Sequence, residues 1–332
     1  MPNESRFSAK RVQNFMLNYA IVFMLLAIAF VVWILYPEFL GRFSRRNIIA
    51  NTSQRFIIAL GVSGCLITKG TDLSAGRSVG LAACLAATFL QRADYTSKVY
   101  PLLGDLPILG VLLGVVFVTA FFGLLNGMVV SFLKVPPFIA TLGMQTVIYG
   151  ICLIFTGAQP IGGLRTDYTN ISSGSFISIP YLGFIALACG VIMWFIYHHT
   201  THGKRMYAIG GNESAAEVSG INTSATKILI YTTAGLLYGV AGFLLGAKSG
   251  GTSVNAGFGY ELEAIAGCTI GGVSTNGGVG RISGILIGVA VFEVLKIAMQ
   301  FLGVKTDYTY IVQGIIIVLA VAIDMRKYIS KK

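Results

Sequence analysis

The stretch PILGVLLGVVFVTAFFGLLNGMVVSFL, residues 107–133, runs for 27 residues without one ionisable side chain. A helix on the surface of a soluble protein keeps one polar face, and roughly 20 apolar residues suffice to cross the hydrocarbon core of a bilayer. This run reads as a membrane-crossing helix, and the rest of the chain repeats its character. Toward the C-terminus, apolar runs occupy 137–156, 181–197, 228–247, 260–273, 282–302 and 310–323; toward the N-terminus they occupy 73–90, 56–68 and 17–36. Together these are ten candidate spans. The polar stretch MPNESRFSAKRVQN precedes the first run without a small-residue cleavage signature, so 17–36 reads as a retained helix rather than a secretory signal.

Composition agrees. Hydrophobic residues make up 55% of the chain, charged residues 11%, and mean hydropathy is +0.77, whereas a soluble domain carries about 25% charged residues. Ten spans and their connections fill 332 residues and leave no room for a soluble domain. The expectation is one all-α, polytopic membrane helix bundle over residues 1–332. The net charge of +11 does not point to nucleic acid, because the basic residues flank the spans and form no polybasic tract. The five cysteines, Cys65, Cys84, Cys152, Cys189 and Cys268, all fall inside apolar runs without C-x-x-C spacing and read as small buried hydrophobes.

Ten spans put both termini on one side, and Lys10, Arg11, Arg326, Lys327, Lys331 and Lys332 place that side in the cytoplasm. The loop 198–227 is then internal and the loop 157–180 external. Arg42, Arg45, Arg46 and Arg55 run against this scheme, on the outer side. Either segment 37–55 is partly interfacial or the count of spans is off by one.

Glycine recurs at helical spacing, in Gly110 and Gly114, Gly123 and Gly127, Gly235 and Gly239, and Gly280, Gly284 and Gly288. Small faces of this kind let helix backbones approach closely in lipid, and packing within the bundle is the reading adopted. Two stretches echo each other, GTDLSAGRSVGLAA at 70–83 and GYELEAIAGCTIGG at 259–272. A five-span repeat unit would invert its second copy, the plan of many transporters; chance similarity in a glycine-rich chain is the other reading.

The internal loop HHTTHGKRMYAIGGNESAAEVSGINTSATK, 198–227, contains a bounded helix signal: Asn212 as N-cap, Glu213 in the first turn, an alanine-rich middle and Gly220 at the stop. Gly210 and Gly211 allow a tight approach before it. A two-turn helix is marginal alone, so a bilayer surface or a partner protein is expected to hold it. A plain surface loop is the alternative.

The segment GKRMYAIGGNESAAEVSGIN resembles the cytoplasmic coupling loop of ABC-transporter permeases of the ribose, galactose and branched-chain amino acid group. IALGVSGCLITKGTDLSAGRSVGLAA looks like that group's second-to-third span signature. The likeness continues through GLLNG, PPFIATLG, ELEAIAGCTIGGVSTNGGVG and the last span, covering nearly the whole chain, and the two longest segments are nearest to members importing galactose and methyl-galactosides. The resemblance implies an all-helical permease of about ten spans whose coupling loop docks in a cleft of a cytoplasmic ABC ATPase, with Gly203, Ala208, Gly210, Gly211, Asn212, Ala215, Ala216 and Gly220 in contact. It further implies a periplasmic sugar-binding protein that carries most of the specificity, a second copy of the permease, and a bacterial inner-membrane location. Glu293 and Lys296, and the arginines of 42–46, depart from the group's pattern.

No catalytic residue or metal site is assigned, and ATP with its magnesium is assigned to the partner. A P-loop needs G-x-x-x-x-G-K-[ST] so that backbone amides wrap the phosphates. Gly64 to Gly70 has its lysine before the second glycine, and GGVSTNGGVG at 271–280 has none; the latter reads as a flexible connection. His198, His199 and His202 lack an acid or cysteine nearby and are not taken as zinc ligands. Lys69, Asp72 and Arg77 cluster at the junction of the second and third spans, where mutual pairing is expected; Glu261 and Glu263 open the eighth span and are placed at the external mouth; Glu293 and Lys296 share a helical face and can pair. A sugar path needs amides, hydroxyls and aromatic faces, and Asn126, Gln145, Tyr149, Tyr231, Tyr238 and Gln313 are the candidates by type and depth, two or three of them facing substrate. The alternatives are a permease for another sugar or for branched-chain amino acids, an ion-coupled secondary transporter, and, with least support, a membrane enzyme.

Overall fold

The computed structural model describes residues 20–329. Lys10, Arg11, Lys331 and Lys332 lie outside the described residues, as do the side chains of Arg326 and Lys327. The helices are α1 (Ala20–Leu35), α2 (Arg42–Ile67), α3 (Ala75–Phe89), α4 (Ile108–Phe132), α5 (Pro137–Thr156), α6 (Thr166–Ser173), α7 (Tyr181–His199), α8 (Thr201–Gly211), α9 (Glu213–Val218), α10 (Thr223–Ser249), α11 (Tyr260–Ile270), α12 (Ile282–Phe301) and α13 (Thr306–Ile329). A 3-10 turn at Pro37–Leu40 joins α1 to α2, and a two-strand hairpin, Ser175–Phe176 with Ile179–Pro180, follows α6. The protein is an all-α polytopic bundle. Each of the ten apolar runs coincides with a helix, and five helices, α4, α5, α7, α10 and α12, are long and apolar enough to cross a membrane unaided.

The second run is a correction. It reads as 56–68, yet α2 begins at Arg42 and spans 26 residues. Segment 37–55 is therefore the 3-10 turn plus the first half of a long helix. That polar half is packed into the bundle, with Ser44, Thr52, Ser53 and Gln54 buried, and is tied to other helices by Asn51, which accepts from Lys248, and by Arg55, which pairs with Glu263.

The architecture turns on two long helices that cross in opposite directions. Along α2 and α10, Asn51 meets Lys248, Gly61 faces Ala234 and Tyr238, and Gly64 faces Ile230, so the pair is antiparallel. After α2 the chain turns back through 68–74, where Asp72 meets Tyr238 halfway along α10, and only there does α3 start. α3 then follows the second half of α10, with Gly242 against Val79 and Gly246 against Ala83. The second half of the chain does the same. After α10, residues 250–259 return along α3, and α11 follows the second half of α2, with Glu263 against Arg55 and Cys268 against Ala59. α3 packs on α4, α5 and α10; α11 packs on α12, α13 and α2. The two echoing sequence stretches thus occupy equivalent places, α3 and α11 point in opposite directions, and their first turns meet where Gly76 lies against Glu261 and Gly257. This is an inverted repeat with two interrupted spans.

Glycine makes these approaches possible. A Cβ at Gly123 would lie 2.3 Å from the Tyr231 carbonyl oxygen, and one at Gly235 would lie 2.4 Å from that of Thr119, so α4 and α10 touch backbone to backbone. Gly284 and Gly288 pack in the same way on Gly271 and Gly267. Gly110 and Gly114 do not belong to this pattern; they border an open apolar groove of about 450 Å³ between α3 and α4.

Candidate functional site

Two regions emerge, a polar cavity within the bundle and a surface at the end that carries α8 and α9.

The cavity, of about 590 Å³, lies among α2, α5, α11, α12 and α13. Its wall includes Arg55, Glu261, Glu263 and Lys296, the amides of Gln145, Gln300 and Gln313, and the rings of Phe258, Tyr260 and Tyr310. Glu263 is the keystone. Its Oε2 accepts from Arg55 Nε at 2.5 Å and its Oε1 accepts from Lys296 Nζ at 3.0 Å, joining three helices through one carboxylate. The guanidinium of Arg55 also lies 3.3 Å from the centre of the Tyr260 ring, a cation-π stack. Glu293 approaches Lys296 to 3.3 Å, as the helical spacing predicts, but its Oε2 makes no hydrogen bond. Two cations and two acids on the wall leave the cavity without net charge. The three glutamine amides bond to no protein atom among the described residues and are free for water or a solute.

Of the six pathway candidates, Gln145 and Gln313 line this cavity and the others do not. Tyr149 lies beneath the Arg77 guanidinium, 4.1 Å from its ring centre. Asn126, Tyr231 and Tyr238 gather instead around the turn before α3: Asn126 donates to Ser74 Oγ at 2.9 Å, Tyr238 to Asp72 Oδ2 at 3.1 Å, and Tyr231 to the Thr71 carbonyl at 3.3 Å. Asp72 also accepts from the Ser74 amide and hydroxyl, closing the start of α3. These side chains satisfy an interrupted span. The expected pairing of Lys69, Asp72 and Arg77 does not occur: Lys69 donates to the Gly211 carbonyl, Arg77 donates to the Val254 carbonyl, and Asp72 is buried among hydroxyls. A non-helical turn over 68–74, in which Lys69 has a φ of +62°, separates the groups, where continuous helix would set Lys69 and Asp72 on one face.

At the other region, α9 has the boundaries its sequence signals. Asn212 Oδ1 accepts from the Ala215 amide at 3.1 Å, and Gly220 closes the helix with a φ of +83°. Ties within the chain also hold it. Glu213 pairs with Lys227 at 2.6 Å and Glu217 accepts from Thr223 at 2.8 Å, both tying α9 to the start of α10. The eight loop candidates divide accordingly. Ala208, Gly211, Asn212, Ala215 and Gly220 are exposed; Gly203, Gly210 and Ala216 are buried in the chain's own packing. A Cβ at Gly203 would sit 2.1 Å from the Tyr197 carbonyl, and one at Gly210 would sit 1.9 Å from the Ile67 carbonyl. Sequence reasoning missed Val218, which is 91% exposed at the end of α9. An apolar side chain just before the Gly220 stop was the available signal. His198 and His199 stack on Trp194 and Phe195, and no cluster of metal-ligating residues occurs among the described residues.

Residues 44–321 match the family of the branched-chain amino acid transport system permease component. The chain belongs to this permease family. It is 42% identical to the galactose/methyl galactoside import permease of Haemophilus influenzae over 94% of this chain and 95% of that protein. It is 43% identical to the permease of the same name in Escherichia coli K12, over 89% and 90%. To the ribose import permease of Bacillus subtilis it is 37% identical, over 91% of each. No solved structure matches the chain. This permease is therefore a multi-pass membrane transport subunit.

Proposed function

We propose that this permease forms the translocation pathway of an ATP-driven importer of a neutral sugar, galactose or a methyl galactoside. The observation that carries the reading is the cavity: it has two cations and two acids, Arg55 and Lys296 are both committed to Glu263, and three unbonded amides lie beside aromatic rings. Such a wall suits the hydroxyls and apolar face of a sugar. A branched-chain amino acid would ask for free counter-charges and an apolar recess. The names of the relatives agree with the sugar reading.

A cytoplasmic ATPase subunit binds ATP and magnesium in this reading and docks on the exposed Ala208, Ala215 and Val218, with both termini on the same side. A periplasmic sugar-binding protein delivers substrate to the opposite face, where Arg42, Arg45 and Arg46 have no carboxylate within ion-pair distance among the described residues. A second copy completes the pathway across α5 and α13, where Gly143, Gly150 and Gly314 meet no other atom within 4 Å. The bilayer is the inner membrane. Proteoliposomes holding permease and ATPase should accumulate radiolabelled galactose or methyl galactoside only with internal ATP and external binding protein both present. Uptake by the permease alone, or uptake driven by an ion gradient without ATP, would refute the proposal.

A further inference from the structure

The loop between α11 and α12, residues 271–281, is wedged between three elements. Its Gly278 amide donates to the Ile67 carbonyl at the end of α2 at 2.8 Å, and Gly277 and Gly278, with φ of +82° and +74°, press against Gly210 and Gly211 of α8. Tyr207 of α8 donates to the Gly280 carbonyl at 2.8 Å. On the loop's other side, one oxygen of Asp324 in α13 accepts from the Thr275 amide at 3.0 Å, the Thr275 hydroxyl at 2.9 Å and the Ser274 hydroxyl at 3.3 Å. The loop is also tied to itself, through Ser274 to Val279 at 3.0 Å. Among the described residues Asp324 has no cationic partner within ion-pair distance, so its charge is spent on this loop alone.

The consequence is a continuous chain of contacts. α9 leads to α8, α8 to the 271–281 loop, the loop to Asp324, and Asp324 to α13, the helix that presents Thr309, Tyr310 and Gln313 to the cavity. We infer that residues 271–281 are a second coupling element and that Asp324 is a positioning residue, fixing this loop to the cavity helix so that movement of α8 and α9 reaches the cavity. The inference rests on the reading of α8–α9 as the ATPase-facing surface. Neighbouring contacts hold the loop where its composition suggested a flexible connection: five of its first ten residues are glycine, yet three of those glycines are left-handed, and two of the three, Gly277 and Gly278, lie against partners less than 3.5 Å away.

The test uses permease, ATPase and binding protein together in proteoliposomes with radiolabelled galactose. Asp324→Ala removes the acceptor for all three bonds, whereas Asp324→Asn keeps one carbonyl oxygen in its place. Asp324→Ala should leave the permease in the membrane at parental amount, copurify the ATPase in full and keep basal ATP hydrolysis, while uptake per ATP hydrolysed falls about tenfold. Asp324→Asn should fall only about two- to threefold, and Thr275→Val, which loses the hydroxyl and keeps the amide, should lie between parent and Asp324→Ala. Parental uptake per ATP in Asp324→Ala overturns the inference. So does loss of the copurified ATPase, which would make the loop a docking element and not a link. If Asp324→Ala does not reach the membrane, Thr275→Val and Asp324→Asn decide by the same ratio, a parental value in both overturning the inference. Ala215→Trp, run in parallel, reports on the underlying reading: should it keep both ATPase and transport, the coupling surface lies elsewhere, whatever Asp324 does.

Discussion

Replacing Glu263 with glutamine removes the one carboxylate that touches two cations, and its cost can be worked from the geometry. At contacts of 2.5 and 3.0 Å, each pair contributes a gross attraction of about 5 to 7 kcal/mol at an effective dielectric of about 20. Desolvation offsets most of this, since all three side chains are only 12 to 14% exposed. What remains on breaking one side is the cost of buried unpaired charge, about 3 to 5 kcal/mol. Glu263→Gln leaves Arg55 with only its stack on Tyr260 and Lys296 with only the oblique contact to Glu293. The expected loss is about 3 to 5 kcal/mol, read as a fall of about 4 to 7 °C in the thermal midpoint of detergent-solubilised protein, followed by size-exclusion chromatography after heating. Glu293→Gln provides the contrast, because its Oε2 forms no hydrogen bond and Lys296 keeps Glu263 without it; the midpoint should move by less than about 2 °C. Equal shifts in the two variants, or no shift in Glu263→Gln, would show that the network is not centred on Glu263.

Three further outcomes are expected. Ala215→Trp or Val218→Asp should lower ATPase copurification about five- to a hundredfold with membrane amount unchanged, because both residues are exposed, whereas Ala216→Trp, at a buried position, should lower the amount of folded permease; blots of membranes and of the purified complex separate the two. Gly123→Val should deplete folded protein, since its Cβ would lie 2.3 Å from the Tyr231 carbonyl, while Gly114→Val, which meets no atom within 4 Å, should be tolerated, both read by fluorescence size-exclusion chromatography. An impermeant maleimide applied to sealed cells should label a cysteine placed at the exposed Thr166 and not one at the exposed Ser214; labelling at 214 would reverse the orientation.

The sequence makes the helices legible because hydropathy is a local property, and α4 with no ionisable residue could hardly be read otherwise. It obscures what depends on neighbours. The first half of α2, RFSRRNIIANTSQR, is polar enough to resemble a loop, and only Glu263, about two hundred residues later, explains why Arg55 is tolerated there. α8 is hidden by Gly203, Gly210 and Gly211, which argue against a helix by propensity, although two of the three are needed for its contact with carbonyls of α7 and α2. Residue type likewise separated sugar-path candidates from the rest of the polar residues, but it could not tell Gln313, on the cavity, from Asn126, committed to Ser74. That distinction depends on where 68–74 leaves the helical path, and nothing in a linear hydropathy pattern marks the point.

The brevity of α11 bears on how the chain enters the bilayer during synthesis. Eleven residues of helix reach about 17 Å, little more than half of a hydrocarbon core about 30 Å thick, and the first turn carries two acids. A segment of that kind does not partition into lipid when it leaves the ribosome; it has no stable place until Arg55 and Lys296 neutralise Glu263. Lys296 is made more than thirty residues after Glu263. The place of α11 in the bilayer therefore depends on α12, a helix the ribosome makes after it.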